Sequence, residues 1–199
     1  MMKTLVAAAV AVLAFPVASA HADDWTVGPG VAYVSNINHV IDIYKADVRA
    51  QGKTVDVDKA LPVGISFDAD YQMDTGLRIG AGLGPYFRVS GDVKHFELPI
   101  AGTVGYLFLP EEQTSPYVKA GIVYHIASGD FYEKSTPGLL IAGGLDFARR
   151  SKLSGTVQVS FDTSKVELDI LCAPGQANCT AGTENFRSYE TVVSFFVKF

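Results

Sequence analysis

The sequence predicts an all-β protein, a single eight-stranded antiparallel up-and-down transmembrane β-barrel. Three observations carry this. Apolar and polar residues alternate with period two in eight segments, the pattern of strands whose two faces meet different surroundings. The connectors between segments are by turns short and long, and both ends of the patterned region fall on the short-turn side, as in a barrel with tight turns in one compartment and loops in the other. After residue 22 no apolar run is long enough for a spanning helix, so a crossing is made by tilted strands of roughly 9 to 11 residues.

Residues 1–22 read as a cleaved secretory signal, with Lys3, an apolar stretch from Leu5 to Val17 and small residues that allow cleavage after Ala20 or Ala22. The apolar run is shorter than the roughly 20 residues of a membrane anchor, and Pro16 interrupts it. Residues 23–199 form the barrel domain. Losing Lys3 takes the formal charge from -5 to -6, and with no basic run the chain lacks the electrostatic footprint of a nucleic-acid binder.

The eight segments are 25–35, 62–71, 77–88, 96–108, 117–125, 139–147, 153–162 and 187–199. Short turns lie at 72–76, 109–116 and 148–152, and the mostly longer loops at 36–61, 89–95, 126–138 and 163–186. One parity is apolar, for example Val31 and Tyr33, Ile65 and Phe67, Ile79 and Leu83, Ile122 and Tyr124, Leu139 and Ile141. The other is small or polar, with Asp68, Asp70, Arg78, Arg88, Glu97, Lys119, Asp146, Thr156 and Gln158.

A soluble lipocalin-like barrel has the same alternation turned inside out. Two features favour the membrane form. Aromatics of the apolar parity collect at both ends: Tyr33, Phe87, Phe96, Tyr124, Phe161 and Tyr189 near the long loops, and Trp25, Tyr71, Tyr106, Phe108, Phe147 and Phe199 near the short turns. On tilted strands these ends lie close to the ~25 Å spacing of interfacial girdles. The polar parity is also rich in Gly, Ala and Ser and poor in Lys, which suits a crowded lumen better than a solvated surface.

Together with the ending Val193, Phe195, Val197, Phe199, these features resemble the small bacterial outer-membrane barrel superfamily, which includes OmpA transmembrane domains and the OmpX-type and OmpW-type proteins. The resemblance implies a place in the bacterial outer membrane among its lipids and lipopolysaccharide, and a C-terminal signature read by the barrel-assembly machinery. A monomer is expected, with no cofactor and no metal. The function expected is structural or surface interaction through the loops rather than catalysis. The alternatives are a narrow OmpW-like channel or carrier for small or hydrophobic molecules, and a lipid A hydrolase.

The charged residues of the inward parity, Asp68, Asp70, Arg78, Arg88, Glu97, Lys119, Asp146 and Glu190, are expected to form an ion-pair network that plugs the lumen. Little water fits there, so pairing offsets a desolvation cost of several kcal/mol per ion. If the 72–76 turn pairs Tyr71 with Leu77, Asp70 faces Arg78. The following hairpin similarly sets Arg88 against Glu97 or His95. The Asp68 and Asp70 pair has the composition of an acid–base couple, but a salt-bridged partner is the simpler reading. His125 and Ser128, with Glu133 nearby, have the composition of a hydrolase pair, and this is the third alternative.

Gly80-Ala81-Gly82-Leu83-Gly84 lacks the strand-then-helix context of a phosphate loop and instead makes room in the lumen. Cys172 and Cys179 enclose a short polar loop in an exported chain, and a disulfide is expected. Loop 36–61 alternates Ile41, Ile43, Val48, Val55 and Val57 with polar residues around Gln51-Gly52-Lys53, as a hairpin standing above the membrane would. Loops 36–61 and 163–186 are the places to look for a surface partner.

Overall fold

Eight walls close on themselves. A computed structural model describes residues 25–35, 42, 45, 63–89, 95–129, 132–170, 182–187 and 189–199. The signal at 1–22, most of loop 36–61, and Cys172 and Cys179 lie outside the described residues. In chain order the strands are β1 (Trp25–Val34), β2 (Val63–Gln72), β3 (Leu77–Leu83), β4 (Phe87–Val89), β5 (His95–Leu107), β6 (Ser115–Gly129), β7 (Tyr132–Thr136), β8 (Gly138–Phe147), β9 (Ser154–Asp162), β10 (Lys165–Ile170), β11 (Gly182–Phe186) and β12 (Thr191–Lys198).

The barrel sheet runs β3-β2-β1-β12-β9-β8-β6-β5-β4, and pairing of β3 with β5 closes it. β3 and β4 share one wall position, so the barrel has eight staves, antiparallel throughout. The first and last strands pair from Gly30 opposite Phe196 to Val34 opposite Val192. Phe199 extends that seam with backbone bonds to and from Val27 of 3.1 and 3.3 Å.

The period-two pattern sorts the side chains as its physics requires. Ile65 is 62% exposed, Ile122 64% and Leu139 61%, whereas Asp68, Lys119 and Asp146 on the same strands are buried. The outer wall is therefore an apolar belt and the lumen is polar, the reverse of a water-soluble barrel. No helix among the described residues is long and apolar enough to cross a membrane. Exposed rings mark both rims: Trp25, against Tyr71 at 5.4 Å, and Tyr106, edge-on to Phe108 at 5.5 Å, on the short-turn side, with Tyr33, Tyr124 and Phe161 towards the loops.

Three details depart from the sequence reading. The first turn is centred one residue further along than expected: β2 runs on to Gln72, Met73 N–H bonds to Leu77 O at 2.9 Å, with Gly76 at φ 85°, and the register starts at Gln72 opposite Arg78. Asp70 therefore faces Gly80, where a Cβ would run into its carboxylate. Secondly, the third stave breaks across Gly84, Pro85 and Tyr86, and the alternation resets. Phe87, expected outside, is buried in the lumen, while Arg88, expected inside, is exposed on the outer wall opposite Phe96. Tyr189, also expected outside, is buried because it precedes the start of β12 and does not share that strand's alternation.

Thirdly, two regions read as loops contain further strands. β6 runs on to Gly129, and β7, β10 and β11 form a separate three-stranded sheet in the order β11-β10-β7 at the long-loop end. Val166 and Leu168 of β10 are fully buried, which gives this sheet an apolar anchor.

Candidate functional site in the barrel lumen

The lumen holds two clusters of charge with a small cavity between them. The cluster nearer the short turns is built around two aspartates that alternation places two residues apart on β2. Lys198 on β12 donates to Asp68 at 2.7 Å and to Asp70 at 2.6 Å. Lys119 on β6 donates to Asp68 at 2.8 Å and lies 4.0 Å from Asp70. β2 and β6 are separated in the wall by β3 and β5, so the Lys119 to Asp68 bond bridges the interior.

Beside it, Arg78 of β3 pairs with Asp146 of β8, again between staves that are not neighbours. Thr156 donates to the other oxygen of Asp146 at 2.7 Å. Arg78 also donates to Gln72 at 3.2 Å and lies over the Tyr117 ring at 5.1 Å, and Tyr117 in turn donates to Gln158 at 2.9 Å. These six ionic side chains comprise three carboxylates and three cations, so they can neutralise one another in a space with little water.

The short-turn mouth is tied shut below them. Arg149, in the turn after β8, donates to the carbonyls of Leu109, Pro110 and Glu112 at 3.2, 2.7 and 3.1 Å, and to Gln72 at 2.9 Å. Partial burial, with Arg78 close by, holds its guanidinium below the ordinary arginine range.

Towards the loops, His125 on β6 sits between two carboxylates. Its Nε2 is 2.7 Å from Asp162 of β9, and its Nδ1 contacts Glu97 of β5. The other oxygen of Glu97 is 3.2 Å from His95 Nε2, and Asp162 accepts the Ser164 N–H at 2.7 Å. The Tyr189 ring stands edge-on to His125 at 4.9 Å. Between the clusters is a cavity of about 60 Å³, lined by Ser66, Asp68, Lys119, Asp162, Tyr189 and Phe196 among others.

The structure thus brings Asp68, Asp70 and Lys119 into one group, and Arg78 and Asp146 into a second beside it. The expected Asp70 to Arg78 pair is replaced by Asp70 to Lys198, because the shifted register of the first hairpin sets Arg78 opposite Gln72, one pleat nearer the mouth. Glu97 pairs with histidines rather than with Arg88, which has left the lumen. Glu190 is exposed, and its backbone carbonyl accepts the Asp162 N–H at 3.2 Å.

Lys198 is the residue that sequence reasoning passed over. Its parity, shared with Ser194 and opposite to Val193 and Phe195, was the available signal. Ser128, suggested as a partner for His125, is exposed on the other face of β6, and both His125 ring nitrogens already face carboxylates. Val193, Phe195 and Phe199 are exposed on the outer wall and Val197 is half-buried. No group of three or more His, Cys, Asp or Glu among the described residues is arranged to hold a metal ion.

No protein-family model matches the chain, and no curated protein matches it in sequence. Among solved structures it is similar to the outer membrane protein OprG from Pseudomonas aeruginosa, at a TM-score of 0.56 and 14% identity over 91% of this chain and 98% of that one. It is also similar to Neisserial surface protein A, at a TM-score of 0.47 and 16% identity over 87% of this chain and 95% of that one. The fold is that of the small eight-stranded outer-membrane barrels.

Proposed function

We propose that this is an integral protein of the bacterial outer membrane whose lumen is closed by buried ion pairs and whose work is done at its loop end. The observation that carries this is the bridging of the interior by Lys119 and Lys198 to Asp68 and Asp70, above a mouth tied by Arg149. A pore for hydrophilic solutes needs an open aqueous path, and here cross-lumen contacts of 2.6 to 2.8 Å occupy it. The sheet of β7, β10 and β11 projects from the opposite end and offers strand surface for contact with partners outside the cell.

The test is electrophoresis of the refolded protein with and without heating, followed by planar-bilayer recording. A heat-sensitive shift in mobility with no steady current is the expected result. Stable conductance from the unaltered protein would sink the closed-lumen reading.

A second reading, passage of small or hydrophobic molecules, is favoured by one observation. The cavity meets the broken third stave at Leu83, Gly84 and Pro85, and has apolar lining from Leu140, Val192 and Phe196. Uptake of a hydrophobic probe into vesicles containing the protein, abolished by filling the cavity with Ser66→Phe, would establish it over the first.

A further inference from the structure

The break in the third stave turns a permanent positive charge towards the membrane. Along β3 the even residue Arg78 faces the lumen, but beyond Gly84, Pro85 and Tyr86 the even residues Tyr86 and Arg88 are exposed on the outer wall. Arg88 is opposite Phe96, and Phe96 is opposite Ser128 on the next strand, where Ser128 is also exposed. A guanidinium, a ring and a hydroxyl thus stand in one row across three strands of the outer surface. Tyr86 packs edge-on against Phe96 with ring centroids 5.4 Å apart.

The depth of this row follows from the rings. Rims of aromatic residues lie at the boundary between hydrocarbon and headgroups, and Arg88 is one pleat repeat, about 6.6 Å, beyond Tyr86 along the chain. That places it in the headgroup layer on the loop side. Among the described residues Arg88 has no salt bridge, unlike the lumen cations Arg78, Lys119 and Lys198. A guanidinium keeps its charge at any physiological pH, and its planar fork matches two oxygens of a phosphate.

We propose that Arg88 binds a phosphate of lipid A in the loop-side leaflet, with Ser128 supplying a further hydrogen bond across Phe96. Tyr86 and Phe96 provide the apolar surface on which the first carbons of an acyl chain rest. The site lies outside the barrel and is independent of the lumen clusters. It rests on the outer-membrane reading, because only there does the loop-side leaflet carry lipid A.

The test is native mass spectrometry of the refolded protein in detergent micelles, with diphosphoryl lipid A, the same lipid stripped of its phosphates, and phosphatidylglycerol as separate probes. The unaltered protein is expected to retain diphosphoryl lipid A about tenfold more tightly than R88Q does, the scale of one charge-assisted contact. R88K should fall between them, since an ammonium keeps the charge without the fork. Lipid stripped of phosphate should not distinguish the three proteins.

Equal retention of diphosphoryl lipid A by the unaltered protein and R88Q overturns the site, as does an unaltered protein that holds the stripped lipid as tightly as the diphosphoryl form. Equal retention of phosphatidylglycerol overturns the assignment to lipid A. The heat-sensitive mobility shift of the unaltered protein separates the two levels of the argument. Its absence would remove the membrane-barrel reading itself, whereas a normal shift with no dependence on Arg88 removes only this lipid site.

Discussion

Lys198 is the residue on which both aspartates of β2 depend. Its ammonium reaches Asp68 and Asp70 with its side chain only 3% exposed, leaving Lys119 as the other cation within 4.0 Å. Lys198→Met is predicted to lower stability by about 3 to 5 kcal/mol, the cost of stranding a buried charge, read as a lower urea midpoint of the refolded barrel. Adding Asp70→Asn to that variant should recover part of the loss, and a double variant no more stable than Lys198→Met alone would count against the pairing. Asp146→Asn, rather than Asp70→Asn, is the change that strands Arg78, and it should destabilise by about 3 kcal/mol on the same scale. At this scale the sequence was legible as far as parity reaches. Asp68, Asp70, Arg78, Glu97, Lys119 and Asp146 all face inward as their positions imply. Their partners were not legible, because cross-lumen pairs depend on the stagger of non-adjacent strands, and a hairpin register shifted by one pair left Asp70 to Lys198.

The elements that escaped the sequence are those defined by long-range pairing. β7, Tyr-Glu-Lys-Ser-Thr, carries no apolar alternation, and its status as a strand comes from β10, which it meets from Lys165 opposite Thr136 to Leu168 opposite Tyr132. β10 does alternate, with buried Val166 and Leu168. In a loop of such length that pattern had no visible partner until β7 and β11 flanked it. Within this sheet Lys134 pairs with Glu167 at 3.0 Å, while Glu133 is pushed above the ordinary carboxylate range, first by a hydrogen bond shared with Asp169 and then by its charge. A raised carboxylate pKa means that the folded sheet holds its proton more tightly than the open chain does. The sheet is therefore predicted to tighten as pH falls through that value and to loosen above it. Amide exchange in β7, corrected for intrinsic rates, should slow as pH is lowered from neutral into the carboxylate range, and Glu133→Gln should remove the difference. An unchanged pH response in that variant would refute the shared proton.

For the whole molecule, apolar outside and charged inside, the prediction concerns transport. Replacing Asp68, Asp70, Lys119 and Lys198 together with serine leaves no stranded charge and clears the contacts that bridge the interior. The quadruple variant is expected to give measurable planar-bilayer current where the unaltered protein gives none, and a silent variant would place the barrier at the Arg149 turn or the His125 cluster instead. The seam between the first and last strands has a further consequence, in the order of assembly. Asp68 and Asp70 arrive early, on β2, whereas their principal counter-charge lies on β12, the strand that closes the wall against β1, next to the Phe199 that bonds to Val27. Until the last strand docks, the growing wall carries uncompensated negative charge on its inner face, and a chain ending at Val197 never receives that cation. Charge neutrality and closure of the wall are thus completed in one step, and a barrel that closes without Lys198 in place should be recognisable as a slow, leaky intermediate in time-resolved refolding.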